Sequence, residues 1–189
     1  MCGRYVTEED KSVVMAELYA SIGERYPDLT LKRGEIFPTD TVPLLGGEDG
    51  RLIALPGIWG FPAGREPRLL INARCETVEE KPLFSHSFRT MRCAVPTNGY
   101  YEWSQEKIRH RMNLPGKELL YLAGICTVCE EGIRFAILTT EPSPSVSKIH
   151  HRMPLILPSG ALLPWTCDLE FARRYLRTGM PELSITKLA

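Results

Sequence analysis

The most reactive group this sequence offers is Cys2, in Met1-Cys2-Gly3-Arg4-Tyr5. Methionine aminopeptidases remove Met before a small residue, so loss of Met1 would leave a free 1,2-aminothiol. Reference values of about 8 for the α-amine and about 8.5 for the thiol leave roughly a tenth of the amine free at pH 7, with a few per cent of the thiol as thiolate. The amine can condense with an aldehyde to an imine, and the thiol can close on the imine carbon to a five-membered thiazolidine that resists hydrolysis better. Position 2 alone does not establish this chemistry, since many proteins carry a small residue there by accident.

Other residues could serve it. Glu102, in Gly99-Tyr100-Tyr101-Glu102-Trp103, is a carboxylate flanked by aromatics; desolvation there would raise its pKa and suit it to acid or base work. An outward strand residue between two inward rings is the commoner arrangement for an isolated Glu. His150 and His151 precede Arg152-Met153-Pro154 and are half of the four histidines, placed before a strand where an imidazole can act near neutral pH. Asn72 and Arg74 close an apolar run, offering an amide to orient a polar group and a guanidinium for a phosphate or carboxylate. Surface or turn hydrogen bonds explain each of these equally well. Cys126-Thr127-Val128-Cys129 has metal or redox spacing, but a second half is missing and the surrounding run is β-rich, so a structural strand is expected and no metal.

The elements that must position these residues follow from hydrophobic patterning. A chain of 189 residues is the size of one domain, 1–189, able to bury a core without staples. Thr7 with Asp10 resembles a capping box, and Val14, Leu18 and Ile22 then predict a helix near residues 8–22. Val42–Leu45, Gly46-Gly47-Glu48-Asp49-Gly50 and Arg51–Leu55 read as a β-hairpin. Strands are expected at 69–73, 91–95, 99–103, 119–128, 133–139 and 154–157, and a last helix after Asp168 and before Gly179. The fold class is α+β: a β-rich, mostly antiparallel sheet or partial barrel with flanking helices.

Bulk properties narrow the partners. The longest nearly apolar run, 119–129, is well short of the roughly 18 residues that span a bilayer, and acidic residues occupy the place of a signal-peptide core. A cytoplasmic protein is expected, with its six cysteines reduced. Lys plus Arg equals Asp plus Glu at 23 each, so any anion site must be local; Arg65, Arg68, Arg74, Lys81, Arg89 and Arg92 form the best basic stretch.

In order along the chain, Cys2-Gly3-Arg4-Tyr5, Pro38-Thr39, Trp59-Gly60, Asn72-Ala73-Arg74-Cys75-Glu76-Thr77, Pro96 with Gly99-Tyr100-Tyr101-Glu102-Trp103, Leu138-Thr139-Thr140 and His150-His151-Arg152-Met153-Pro154 resemble the SOS response-associated peptidase family. Its members crosslink to abasic sites in single-stranded DNA. The resemblance runs from Cys2 to about Leu157 and implies a cofactor-free monomer with the family's β-rich fold, cytoplasmic and nucleoid-associated when bound to DNA. It implies that Cys2 captures the ring-opened sugar as a thiazolidine and drives loss of Met1. By the same resemblance Asn72 orients the reacting centre, Glu102 shuttles protons in crosslinking and strand-cleaving lyase chemistry, and His150 assists sugar opening. Arg74 and Arg152 would hold phosphates, Trp103 would pack on nucleotides, and Arg4 would line the groove.

The chain departs from the family at several places. His151 replaces a usual acidic residue, Glu35 stands near a frequent Asn, and Phe61-Pro62-Ala63-Gly64 lacks an aromatic that could wedge against DNA. The tail ends soon after Leu183, which shortens a final strand. Two other functions share these residues: an N-terminal-nucleophile cysteine amidase, in which the α-amine is the base, and a non-catalytic single-strand-binding module using the arginines and Trp103.

Overall fold

The computed structural model describes residues 2–63 and 69–188. Fifteen strands are described: β1 (Tyr5–Thr7), β2 (Gly34–Ile36), β3 (Thr41–Glu48), β4 (Arg51–Trp59), β5 (Phe61–Pro62), β6 (Leu69–Leu70), β7 (Asn72–Arg74), β8 (Arg92–Thr97), β9 (Gly99–Trp103), β10 (Arg109–Asn113), β11 (Leu120–Cys129), β12 (Gly132–Thr140), β13 (Met153–Pro154), β14 (Ile156–Leu157) and β15 (Ser184–Lys187). The helices are α1 (Val13–Arg25), α2 (Pro82–Thr90), α3 (Pro144–Ser147), α4 (Leu162–Cys167) and α5 (Leu169–Tyr175).

The pairings β3–β4, β4–β12, β12–β11, β11–β8 and β8–β3 close a ring, so five strands form a small barrel. All but the parallel β4–β12 contact are antiparallel, as expected for strands joined by tight turns. Beyond its contact with β4, β12 pairs in parallel with β7, setting Thr139 opposite Arg74. A second sheet, in the order β15-β10-β9-β1-β2, packs beside the barrel.

Side-chain alternation divides the interior into two cores. Cys93, Val95, Phe135 and Ile137 face one core with Cys2, Tyr5, Trp59 and Tyr100. Their neighbours Ala94, Ala136 and Leu138 face another, covered by Phe84, Phe88 and Trp165 from α2 and α4. Trp59 anchors the first core; its ring lies 5.0 Å from that of Tyr5, and its indole N–H donates to the Ile71 carbonyl at 3.0 Å.

Several expectations change. The first helix begins at Val13, because Ser12, not Thr7, accepts the capping bond from the Met15 amide; Thr7 ends β1 and its hydroxyl pairs with that of Tyr19 at 2.8 Å. Its core-facing stripe is Met15, Tyr19 and Ile22, while Val14 is exposed. The hairpin turn is only Asp49-Gly50, both at positive φ, and Gly46 and Gly47 belong to β3. Gly47 is demanded by packing rather than by the turn: a Cβ there would meet Cys167 Sγ at 2.5 Å. The C-terminal helix follows its Asp168 cap as expected, and a final strand, β15, forms after Leu183 and pairs with β10.

The stretch from Arg65 to Arg92 is not a continuous basic face. Arg65 and Arg68 lie outside the described residues, Arg89 pairs with Glu79, and Arg92 is buried. The Arg92 guanidinium donates to the carbonyls of Phe88, Arg89, Trp165 and Thr166, holding the ends of α2 and α4 together. Cys126 and Cys129 sit in β11, where a separation of three directs their side chains to opposite faces.

Candidate active site

Cys2 precedes β1, whose antiparallel pairing with β9 sets Tyr5 opposite Tyr100. One residue earlier, the Arg4 carbonyl accepts from the Tyr101 amide at 2.9 Å. The Cys2 side chain is fully buried, and its carbonyl accepts from Asn72 Nδ2 at 2.9 Å, a bond bridging 70 residues of sequence. Burial, then the nearby Glu102 carboxyl, pushes the thiol well above its ordinary range, so it carries its proton at neutral pH.

Glu102 shares the inward face of β9 with Tyr100 and is only 3 % exposed. This overturns the picture of an outward Glu between two inward rings: Tyr101 and Trp103 occupy the opposite face. Burial raises the Glu102 pKa. Around Cys2, the Tyr5 and Tyr100 hydroxyls and Asn72 Oδ1 are buried with no hydrogen-bond partner among the described residues. Such orphaned atoms cost free energy unless a water or a polar ligand satisfies them.

His150 follows α3, its amide bonded to the Val146 carbonyl at 2.9 Å. Its Nδ1 lies 3.0 Å from the Arg152 amide and 3.1 Å from the Arg152 carbonyl, so the ring nitrogen accepts from the first or donates to the second according to its tautomer. Burial lowers its pKa, favouring the neutral form. The ring stacks on His151 with centroids 4.3 Å apart, and His151 is itself lowered, chiefly by His150. Each imidazolium would repel the other, so the pair resists double protonation.

The arginines divide into three situations. Arg74 ends β7 exposed, with no ion pair among the described residues. Arg152 is engaged: it holds both carboxylate oxygens of Glu76, at 2.5 and 2.9 Å, and donates to the Thr139 carbonyl at 2.5 Å. That fork lowers the Glu76 pKa. Arg4 lies on the outer face of the small sheet with Trp103, its guanidinium 5.2 Å from that ring and 4.3 Å from Phe37.

Cys2, Asn72 and Glu102 therefore converge, while the histidine pair sits on the segment between α3 and β13. Trp103 and Arg4 stand across the sheet. Sequence reading missed Tyr5 and Tyr100 beside the cysteine, Glu76 on Arg152, and Arg109, which stacks over Tyr101 at 3.9 Å. Glu76 was visible only as part of a motif, and Arg109 lies in β10, whose charged alternation disguised a strand. Two surface cavities, of about 1030 and 900 Å³, do not include Cys2; residues including Glu76, Glu79 and Arg173 line the first, and residues including Leu119 and Met180 the second.

The profile of a family described as SOS response associated peptidase (SRAP) matches residues 1–178. The chain belongs to the SRAP family. Among SRAP relatives, the abasic site processing protein YobE of Bacillus subtilis is 29% identical over 187 residues, covering 87% of this chain and 81% of that protein. The abasic site processing protein YedK of Escherichia coli is 28% identical over 176 residues, covering 87% and 79%. YoaM of B. subtilis, also named an abasic site processing protein, is 32% identical over 134 residues, covering 64% of this chain and 59% of its own length. The match to YoaM thus spans less than two thirds of that relative. A crystallised protein of Bacteroides thetaiotaomicron superposes with a TM-score of 0.77 at 20% identity, covering 100% of this chain and 92% of that one. A crystallised phage-related protein of Bordetella bronchiseptica gives 0.76 at 25% identity, covering 99% and 94%. These superpositions show that the two crystallised proteins share the fold described above.

Proposed function

We propose that this chain processes abasic sites in single-stranded DNA by covalent capture on Cys2 once Met1, which lies outside the described residues, has been removed. The observation that carries this reading is the convergence of Cys2, Asn72 and Glu102, with Asn72 Nδ2 2.9 Å from the Cys2 carbonyl. The names of the relatives YobE and YedK agree with it.

The open-chain sugar presents an aldehyde. The Cys2 amine adds to it, and loss of water gives an imine; Glu102, protonated more readily than an ordinary Glu, supplies the proton that lets hydroxide leave as water. The thiol then adds across the C=N bond: a C–S bond forms, and the thiol proton ends on nitrogen. No oxidant is needed. The amine attacks first, and the sulfur then closes a ring already held in place.

Asn72 fixes the Cys2 carbonyl and so the direction of the amine, while its unpartnered Oδ1 can accept a bond from the sugar. Neutral His150, held at Nδ1 by the Arg152 backbone, assists ring opening. Before ring closure the imine acidifies the adjacent C–H, so an ionised Glu102 can act as the base for β-elimination of the 3′ phosphate, the lyase outcome. Hydrolysis of the Met1–Cys2 amide, with Cys2 as nucleophile, is the peptidase step that exposes the amine. Arg74 takes a flanking phosphate, and Arg152, held by Glu76, shapes the same edge.

The test uses Met-free protein mixed with single-stranded DNA carrying one abasic site, and with intact DNA, resolved on a denaturing gel. A slow-migrating band is expected only with the abasic strand and only with Cys2 intact. If Cys2→Ala gives the same band, or no band forms, the reading is wrong. Intact mass checks the prior step, since a retained Met1 blocks the aminothiol.

A further inference from the structure

The core around Cys2 holds a hydroxyl that the reaction as described does not use. Tyr100 is fully buried in β9, between Tyr5 of β1 and Met112 of β10, so paired strands fix its backbone on both sides. Strand alternation turns its side chain to the same face as Glu102, and the ring packs in the core cluster that contains Cys2. Its hydroxyl has no hydrogen-bond partner among the described residues. A buried hydroxyl left unmatched costs free energy that is returned only when a water or a reacting group arrives to accept from it. Burial, then the Cys2 thiol and the Glu102 carboxyl, hold this phenol well above its ordinary range, so it stays a neutral donor. The Tyr5 hydroxyl is orphaned as well, but burial and then Tyr19, ahead of Cys2, act on it.

In the resting protein the Cys2 thiol is turned to the Arg4 carbonyl, 3.9 Å from Sγ. Ring closure turns the sulfur from that carbonyl toward the imine carbon. Between losing its proton and bonding carbon the sulfur carries negative charge, which burial and the Glu102 carboxyl both oppose. We propose that the Tyr100 hydroxyl donates a hydrogen bond to the Cys2 sulfur during ring closure, and so decides how much of the imine becomes crosslink rather than cleaved strand. The proposal rests on the Cys2 reaction described above. In the closing step a sulfur lone pair forms the C–S bond, the C=N π pair moves to nitrogen, and the thiol proton ends there; Tyr100 keeps its own proton. β-Elimination draws on the same imine. A donor aimed at the developing charge speeds closure, so without it the imine stays longer within reach of the base, and strand cleavage gains what the crosslink loses.

Tyr100→Phe removes the hydroxyl and keeps the ring. With Met-free protein and single-stranded DNA carrying one abasic site, single-turnover samples on a denaturing gel give the ratio of cleaved strand to crosslink. The variant should close the ring roughly tenfold more slowly, the order expected for one hydrogen bond to a charged atom, and the ratio should rise by a similar factor. Cyanoborohydride, which delivers hydride to the imine carbon, should trap imine at the wild-type rate, because the amine reacts before the sulfur. The urea midpoint should stay level or rise, since Phe leaves no orphaned hydroxyl. Tyr101→Phe, the same change on the opposite face of β9, should keep the wild-type ratio. A wild-type ratio in folded Tyr100→Phe overturns the proposal, as does an equal shift in Tyr101→Phe. Lower stability together with slower trapping would make the hydroxyl a structural group and overturn it too. If wild type itself gives no adduct even with cyanoborohydride, the Cys2 reaction fails and this role with it.

Discussion

The two faces of β9 show how one strand separates a desolvated interior from a charged, solvated surface. Its inward face carries Tyr100 and Glu102 against Cys2, where burial raises the pKa of the carboxyl. Its outward face carries Tyr101 and Trp103 beneath Arg4 and Arg109, where charges meet in pairs and solvent screens them. A carboxylate on the inner face changes the reactivity of its neighbours. Glu35 on the outer face joins Arg4 to Arg109. The difference comes from dielectric surroundings rather than from residue type, since both are glutamates.

The sharpest way to break this contrast is to truncate one ring on each face. Tyr100→Ala should lose about 3–5 kcal/mol of stability, the usual range for emptying a buried aromatic site, whereas Trp103→Ala should lose far less. Urea unfolding measures both, and equal losses would show that the faces are not energetically distinct.

Replacing Glu102 by Gln should slow crosslinking by about 100-fold or more, the typical share of a general acid, while the fold persists. Single-turnover gels measure the rate; an unchanged rate removes Glu102 from the mechanism. The same substitution has a pH signature. Because the folded-state pKa of Glu102 is raised, the proton's contribution to stability is full below the ordinary carboxylate value and is lost as pH climbs through the raised value. Wild type should therefore lose stability over that window relative to Glu102→Gln, as read by melting temperature against pH. Parallel curves would mean that the carboxyl is not desolvated.

The smallest effect belongs to the outer ion pairs. Arg109→Ala should cost only about 0.2–1 kcal/mol, and less still in high salt. A large, salt-independent loss would mean that the stacked guanidinium is part of the core rather than of a surface.

Much of the architecture was legible because its signals are local. The hairpin, the strand 99–103 and the Asp168-capped helix announce themselves through alternation or a cap within a few residues. β10 did not, since Arg109-His110-Arg111-Met112-Asn113 has one apolar residue and becomes a strand only because β9 and β15 pair with both its edges. The capping box at Thr7 failed for a related reason: the β1–β2 pairing takes Thr7 into a sheet, Asp10 lies in a short 3-10 turn, and Ser12 caps the helix.

For the site, sequence by itself determined which groups are available: an aminothiol in waiting at Cys2, an aromatic-flanked Glu102, an amide at Asn72 and a histidine pair. It also determined, by strand alternation, that Glu102 and Trp103 face opposite ways, although not which way is inward. Tertiary structure alone decided that Glu102 is the buried one, that Asn72 reaches across 70 residues to the Cys2 carbonyl, and that Glu35 joins Arg4 to Arg109. Those facts depend on long-range packing, because desolvation and charge pairing are set by whatever the fold brings alongside and not by neighbours in the chain.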